Sequence, residues 1–311
     1  MTVNPVSPIN PASGTGGSRR SESLLGILLM AGGMFVFSAV DTQAKFLTQG
    51  LDPFQITWSR QLGLLAGVVV LLMMRGTTVL QTKQPGLQIL RGALAAGSAT
   101  LFIIAISFVP LADAVAVSFI APFVVTIMGA LILKERVGIR RWTAVIIGFI
   151  GSMIVVRPGL GVLHPAVMLV VVAAVLFAGR QVVSRALADT DNTQTTVAYT
   201  ALVGSFLLTI PLPFVWRWDL TSQELTLLAS IAIMAAFAEI LVIKALEVAQ
   251  AVVVAPVQYT LIIWGTAYGY LVFGQLPDMW TWIGAAIIVA TGLYTLRRDA
   301  LASRRRAQQH G

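Results

Sequence analysis

The sequence predicts an all-α membrane protein of ten transmembrane helices, built as two inverted five-helix repeats. Composition, a long internal repeat and the placement of basic residues carry that prediction. Of the 311 residues, 57% are hydrophobic and 11% charged, against about 25% charged in an ordinary soluble domain. The mean hydropathy is +0.85. So few charges cannot coat a soluble protein of this size, so lipid is the natural solvent for most of the chain.

The repeat is visible by eye. Residues 31–47, AGGMFVFSAVDTQAKFL, recur as VVAAVLFAGRQVVSRAL at 171–187. This sets Phe37 over Phe177, Asp41 over Gln181, Lys45 over Arg185 and Leu47 over Leu187. At nearly the same offset, 140–155 matches 279–294, with Trp142 over Trp282. A unit of this length is too long for a solenoid and marks a duplicated half-protein, the plan of transporters built from two related bundles.

Apolar stretches near the roughly 20 residues that cross a bilayer fall at 24–45, 54–74, 87–109, 112–133, 139–156, 164–186, 195–215, 224–246, 251–273 and 280–297. Five spans per repeat is an odd number, so the second half enters the membrane from the opposite side. The predicted organisation is a disordered cytoplasmic tail over 1–22, a first repeat over 23–159, a second over 160–298 and a basic cytoplasmic tail over 299–311. The first tail is rich in Pro, Gly, Ser, Thr and Asn and lacks the cleavage pattern of a signal peptide.

Breakers punctuate the spans at Asp52-Pro53, Pro85-Gly86, Pro158-Gly159 and Pro277-Asp278. Small residues at one-turn spacing, such as Gly92 to Gly97 and Gly148 with Gly151, suit close helix packing in lipid. Pro122 and Pro256 interrupt the fourth and ninth spans. Each frees a backbone carbonyl that must face protein or a watery cavity. The two breaks mark either a cavity between the repeats or packed kinks.

With the N-terminus in the cytoplasm, the cytoplasmic segments hold Arg19, Arg20, Arg75, Lys83, Lys134, Arg136, Arg140, Arg141, Arg185, Arg297, Arg298 and Arg304 to Arg306, whereas the external loops hold only Arg157 and Arg217. The positive-inside rule therefore predicts a multi-pass protein of a bacterial inner membrane with both termini inside. The net charge of +8 is explained by this bias. No basic stripe with interleaved aromatics suggests nucleic acid.

The chain has no cysteine and two histidines. That excludes disulfides, thiolate nucleophiles and Cys-based metal sites. His164 and His310 lie too far apart in sequence to read as a local metal motif and are read as structural or idle. No cofactor and no metal are expected.

At 91–159 the residues carry a family likeness. The turn Ala-Ile-Ser-Phe-Val-Pro-Leu-Ala-Asp-Ala at 105–114, Pro122 after an apolar run, Lys134-Glu135-Arg136 and the following Trp-plus-glycine helix resemble the EamA repeat of the drug/metabolite transporter superfamily. The second half echoes it in Ala249-Gln250-Ala251, Gly274-Gln275 and Trp282-Ile283-Gly284, with Gln275 where the family usually has an acid. The passage FSAVDTQAKFL also looks like the subgroup containing S-adenosylmethionine carriers. The resemblance spans most of 24–297 and implies a secondary transporter with a central cavity between inverted halves, specific for class and weak for substrate.

Charges inside spans are costly and are functional candidates by default. Here they are Asp41, Lys45, Arg60, Arg91, Asp113, Arg180, Glu239 and Lys244. Asp41 and Lys45 sit four apart on one face and are expected either to neutralise each other, with Lys45 reaching for water, or to leave Asp41 for a cation or proton. Glu239 has Ala235, Ala236, Val242 and Ile243 at its helical neighbours. Its partner must come from another helix, or it is protonated by burial. Arg60, Arg91 and Arg180, the last beside Gln181, are the candidate partners, and an arginine fork also suits a substrate carboxylate. Gln258, Tyr259 and Trp264 on the ninth span are candidates for an aromatic, polar wall, with Phe102 and Phe119 in support; the alternative for each is core packing.

The expected function is secondary active transport of a small organic metabolite, an amino acid or a related zwitterion or amphipathic compound, by alternating access and with proton coupling through Glu239 or Asp41. The alternatives are a carrier of S-adenosylmethionine-like cofactors and, far behind, a membrane-embedded transferase, for which no His, Cys or carboxylate cluster exists. A channel is disfavoured by the absence of a repeated filter segment. No GxxxxGK[ST] motif occurs, so a gradient rather than ATP is the expected drive. The partners are the small-molecule substrate, the lipid bilayer and protons, in a monomer or a homodimer.

Overall fold

A computed structural model of the protein describes residues 15–134, 138–156, 164–187, 190–249 and 254–309. Arg157, Pro158-Gly159, Glu135, Arg136, Gln250, Ala251, His310 and the first part of the predicted N-terminal tail lie outside them. The described residues form helices and no strands.

In chain order these are α1 (Thr15–Leu47), α2 (Pro53–Arg75), α3 (Pro85–Ile106), α4 (Leu111–Ser118), α5 (Ala121–Ile132), α6 (Ile139–Val156), α7 (Val167–Leu187), α8 (Thr193–Thr209), α9 (Leu212–Val215), α10 (Ser222–Val248), α11 (Thr260–Phe273) and α12 (Met279–Gln309). Every predicted span holds a helix. Six are long and apolar enough to cross a membrane: Glu22–Leu47, Pro53–Leu80, Pro85–Ile106, Leu111–Ile132, Val167–Leu187 and Ser222–Val248. The apolar stretches of the others are shorter: α8 is 17 and α11 14 residues long, and the apolar parts of α6 and α12 are Trp142–Val155 and Met279–Tyr294. Turns lengthen the first two: α8 runs through a turn into α9, and a 3₁₀ turn at Ala255–Tyr259 precedes α11.

The predicted tail over 1–22 needs correction at its end, because α1 begins at Thr15. Once the apolar part of a helix has nucleated, adding a turn of polar residues is cheap. The basic residues after Arg297 likewise extend α12 to Gln309.

Helix starts follow the local chemistry. The Asp52 carboxylate accepts from the Phe54 N–H at 2.8 Å, with Pro53 in the first turn of α2. Asn192 does the same for α8, accepting from the Thr195 N–H at 2.8 Å. Thr221 and Glu224 form a capping box on α10. The fourth span breaks at Phe119 and Ile120, just before Pro122, and the ninth opens in the 3₁₀ turn that contains the Pro256 backbone. Both proline breaks are therefore real.

The helix pairings come as mates under a pseudo-two-fold. The α1–α10 packing is matched by α7–α3, α2–α10 by α8–α3, and α1–α11 by α7 with α4 and α5, while α2–α8 and α6–α12 pair across the axis. Directions follow from individual contacts. Along α1, Gly26 faces Ala249 and Gly33 faces Ala238, and Gln43 bonds the Met234 sulfur, so α10 runs antiparallel to α1. Along α3, Arg91 meets Ser184 and Ser98 bonds the Ala173 carbonyl, so α7 is antiparallel to α3. Gln61 bonds Thr200 and Trp58 bonds Thr209, while Arg75 bonds Gln194, making α8 antiparallel to α2. Gln88 bonds Thr196 and Gly92 lies against Val203, so α8 is parallel to α3. Hence α1 and α3 run one way and their counterparts α7 and α10 the other, which is the inverted duplication.

The small residues act as packing contacts. A Cβ on Gly63 would sit 1.9 Å from the Ala232 carbonyl of α10, and one on Gly284 would sit 2.6 Å from the Gly151 carbonyl of α6. The buried core runs through the middle, with Val40, Ile56, Ile103, Ile106, Val115, Ile231 and Ile288 together in one cluster. Large apolar side chains also cover the outside: Phe206, Ile233 and Phe214 are 69%, 70% and 88% exposed. On a water-soluble protein such a surface would aggregate; here it is the lipid face.

A charged site between the two repeats

Asp41 and Arg60 form an ion pair at 2.9 Å between α1 and α2. This corrects the expected Asp41–Lys45 pair. The two α1 residues share a face, but α2 presents a guanidinium to Asp41, while the Lys45 ammonium turns toward the helix end and donates to the Val109 carbonyl at 2.5 Å. That carbonyl stands just before α4. The Arg60 guanidinium also lies over the Phe37 ring, 5.6 Å from its centroid.

The second repeat also sets an arginine over its phenylalanine, but Arg180 comes from α7 itself. Its guanidinium lies over Phe177, 4.8 Å from the ring centroid, so the two phenylalanines aligned by the repeat each carry an arginine. Arg180 is half-buried, and its Nε is buried with no hydrogen-bond acceptor. Gln181, the match of Asp41, is half-buried beside it.

Arg91 does not reach for the membrane surface. Its Nε donates to the Ser184 hydroxyl at 2.6 Å, and its Nη1 donates to the Thr200 hydroxyl and to the Thr196 carbonyl at 3.5 Å. It thereby ties α3 to α7 and α8 through neutral oxygens, which leaves its charge unneutralised by those bonds. Glu239, half-buried on α10, acts electrostatically on both Arg91 and Arg180, and Arg60 and Arg91 both repel Arg180. Glu239 makes no ion pair within 4 Å among the described residues; the charges it acts on are on other helices. Asp41, Arg60, Arg91, Arg180 and Glu239 form one electrostatic neighbourhood drawn from α1, α2, α3, α7 and α10. Three cations face two carboxylates there.

The ninth-span aromatics make ring contacts, and Trp264 shares an apolar cluster with Phe37 of the site. Tyr259 is buried and its ring meets Phe119 at 4.9 Å between centroids, a pair exactly one repeat offset apart in sequence. The Tyr259 hydroxyl occupies the space a side chain on Gly292 would need. Trp264 packs edge-on against Phe35 at 5.1 Å, and Phe35 also meets Tyr268; this group lies along the α1–α11 seam. Gln258 is exposed. Phe102 packs against the main core. His164 accepts from the Ala166 N–H at 3.1 Å and stacks on Phe108 at 4.9 Å, a structural role at the start of α7. Lys244 pairs locally with Glu247 at 2.7 Å.

Phe37, Phe177, Ser184 and Thr200 join the site without having been singled out as site residues. The alignment of Phe37 with Phe177 was the available signal for two of them.

The EamA-like transporter family model matches residues 24–157 and again 164–297. The chain belongs to the EamA-like transporter family. It is 24% identical to the S-adenosylmethionine uptake transporter of Rickettsia prowazekii, covering 86% of this chain and 92% of that protein. It is 33% identical to the riboflavin transporter of Vibrio cholerae over 73% of this chain and 76% of that protein, and 26% identical to the pseudopaline exporter of Pseudomonas aeruginosa over 85% and 93%. A solved crystal structure, 19% identical, superposes with a TM-score of 0.57 over 90% of this chain and 99% of that one, a likeness of fold. The protein is therefore a multi-pass membrane transporter of a small molecule.

Proposed function

We propose that the protein is a secondary active transporter of an amphipathic metabolite that carries a carboxylate, and that it works by rocking one inverted half against the other around the charged site. The supporting observation is the excess of one positive charge where Arg60, Arg91 and Arg180 meet Asp41 and Glu239, with Arg180 Nε lacking an acceptor. A buried guanidinium is costly without a counter-ion, and a bidentate carboxylate supplies one. The faces of Phe37 and Phe177 offer flat apolar contact beside it. The membrane is the bacterial inner membrane with both termini cytoplasmic, as the loop charges favour, and Glu239 is the group that couples transport to protons.

Among the substrates named for the relatives, S-adenosylmethionine carries a carboxylate and fits this reading. Riboflavin has none, and the 33% identity to a riboflavin transporter makes it the competing substrate. Purified protein in liposomes, preloaded with one compound and assayed for counterflow, separates them. The reading expects counterflow of S-adenosylmethionine, and counterflow of riboflavin alone contradicts it. For the coupling, uptake by a variant with both Asp41→Asn and Glu239→Gln should lose its dependence on an imposed pH gradient; undiminished dependence contradicts the proton role.

A further inference from the structure

We infer that a pocket at the C-terminal end of α1, one turn beyond Asp41, is a docking subsite for an anionic group, with the Lys45 ammonium as its counter-charge. The pocket has a volume of about 380 Å³ and is lined in part by Lys45, Thr48, Gln49, Ser107, Phe273 and Gln275. That volume suits a small organic ion or one end of a larger metabolite. It is formed where α1, α3 and α11 end on the same face of the molecule.

Lys45 is 9% exposed. Its ammonium has three donors. One goes to the Val109 carbonyl at 2.5 Å, and the amine stands 5.4 Å from the centroid of the Phe273 ring. Asp113, in the first turn of α4, attracts it electrostatically. The Thr48 and Ser107 hydroxyls already donate to the backbone, to the Lys45 and Ile103 carbonyls. The donors left for a ligand are the remaining ammonium hydrogens and the glutamine amides. Gln275 is held in place by Gly274, whose φ of 66° is the left-handed conformation that ends α11. Its Oε1 is buried with no partner, so it can accept from a ligand only once the side chain turns toward the pocket. A buried cation, two glutamine side chains and open volume together make a receptor for an anion.

Lys45 lies one turn beyond Asp41 on α1, about 6 Å along the axis. A carboxylate held by Lys45 is therefore next to the Asp41–Arg60 pair and the central site. Use of the pocket as a waypoint for the carried molecule rests on the transport reading above; its preference for anions does not.

The absence of cysteine makes the test direct. Thr48→Cys and Ser107→Cys are introduced singly into the purified full chain and labelled with two reagents of similar size, anionic methanethiosulfonate ethylsulfonate and cationic methanethiosulfonate ethyltrimethylammonium. Two charges about 6 Å apart at an effective dielectric near 40 change each rate on the order of tenfold in opposite directions, and the Asp113 charge near Lys45 offsets part of this, leaving roughly a tenfold preference for the anion. Lys45→Gln should bring the ratio to about that of Thr190→Cys on the opposite face, and Lys45→Arg should keep it. Arg180→Gln should leave it unchanged, which separates this subsite from the central reading. A ratio insensitive to Lys45→Gln, in protein that still melts cooperatively, overturns the proposal, as does a preference for the cation.

Discussion

Asp41 and Gln181 occupy matching places on α1 and α7, and their surroundings differ. In the first repeat the acid meets Arg60 at 2.9 Å, and the guanidinium over Phe37 is neutralised. In the second the amide stands beside Arg180, whose guanidinium covers Phe177 and keeps a bare Nε. At the offset that aligns these helices, Arg60 falls on Thr200, which accepts from Arg91. Duplication thus copied the helices and their pairings, while the charges diverged. One half holds a closed ion pair, and the other holds a cation in search of a counter-ion. A two-fold scaffold can rock symmetrically and still bind an asymmetric molecule in one orientation.

The comparison can be broken at its closed side first. Asp41→Asn leaves Arg60 without its carboxylate, at a cost of about 2–3 kcal/mol, below the range for a fully buried pair because Arg60 keeps some exposure. Thermal melts in detergent should show a large drop in Tm for Asp41→Asn and partial recovery in Asp41→Asn with Arg60→Gln. Equal losses in the single and double variants would mean that the pair does not hold α1 to α2.

A smaller effect is expected at the open side. Gln181→Asp makes the second half resemble the first and brings the net charge of the site from +1 to zero. Affinity for a carboxylate-bearing substrate should fall about tenfold, one unit of Coulomb interaction at intermediate dielectric, with the fold intact. Binding to the purified protein by isothermal titration measures it, and an unchanged affinity would show that the excess charge is not what the substrate meets.

The smallest effect concerns the loops. On one face, Arg217 of the second repeat bonds the Gly50 carbonyl and Glu224, and its backbone pairs with Gln55 of the first. On the other face, Asp191 of the second repeat accepts from Thr82 and from Gln88 of the first, the latter at 2.7 Å. Partial burial acts to raise the Asp191 pKa, but hydrogen bonds from Thr82, Gln88 and the Lys83 backbone, with the Lys83 charge, outweigh it and hold the carboxyl below its ordinary value. A depressed folded pKa contributes stability above the unfolded value near 4 that is lost as pH falls through the folded value. Melts between about pH 6 and pH 3 should show a small acid-side loss that Asp191→Asn abolishes; an identical pH profile in the variant would remove this latch from the account.

Much of the fold was legible because the repeat and the proline breaks are carried by the sequence itself, and the breaks at Pro122 and Pro256 fall where the sequence put them. The start of α1 was misplaced because a polar run reads as a tail even when it continues a nucleated helix. The charged residues of the site were legible too, since the membrane makes each one conspicuous. Their partners were not. The spacing of Asp41 and Lys45 is a rule within one helix, whereas the Asp41–Arg60 bond depends on the register between two. Tyr259 and Trp264 looked deep enough for a cavity wall; the structure shows their ring contacts with Phe119 and Phe35, and depth alone does not distinguish a wall from core packing.

The central claim is that the Arg180 guanidinium receives the carboxylate of the carried molecule. Binding of S-adenosylmethionine and of its carboxyl methyl ester, compared in the unaltered protein and in Arg180→Gln, tests it most directly. The unaltered protein should prefer the free acid by about 30- to 150-fold, as the loss of a charge-assisted bidentate bond of about 2–3 kcal/mol implies. Arg180→Gln should bind both forms weakly and nearly equally. The same preference for the acid in both proteins would contradict the claim.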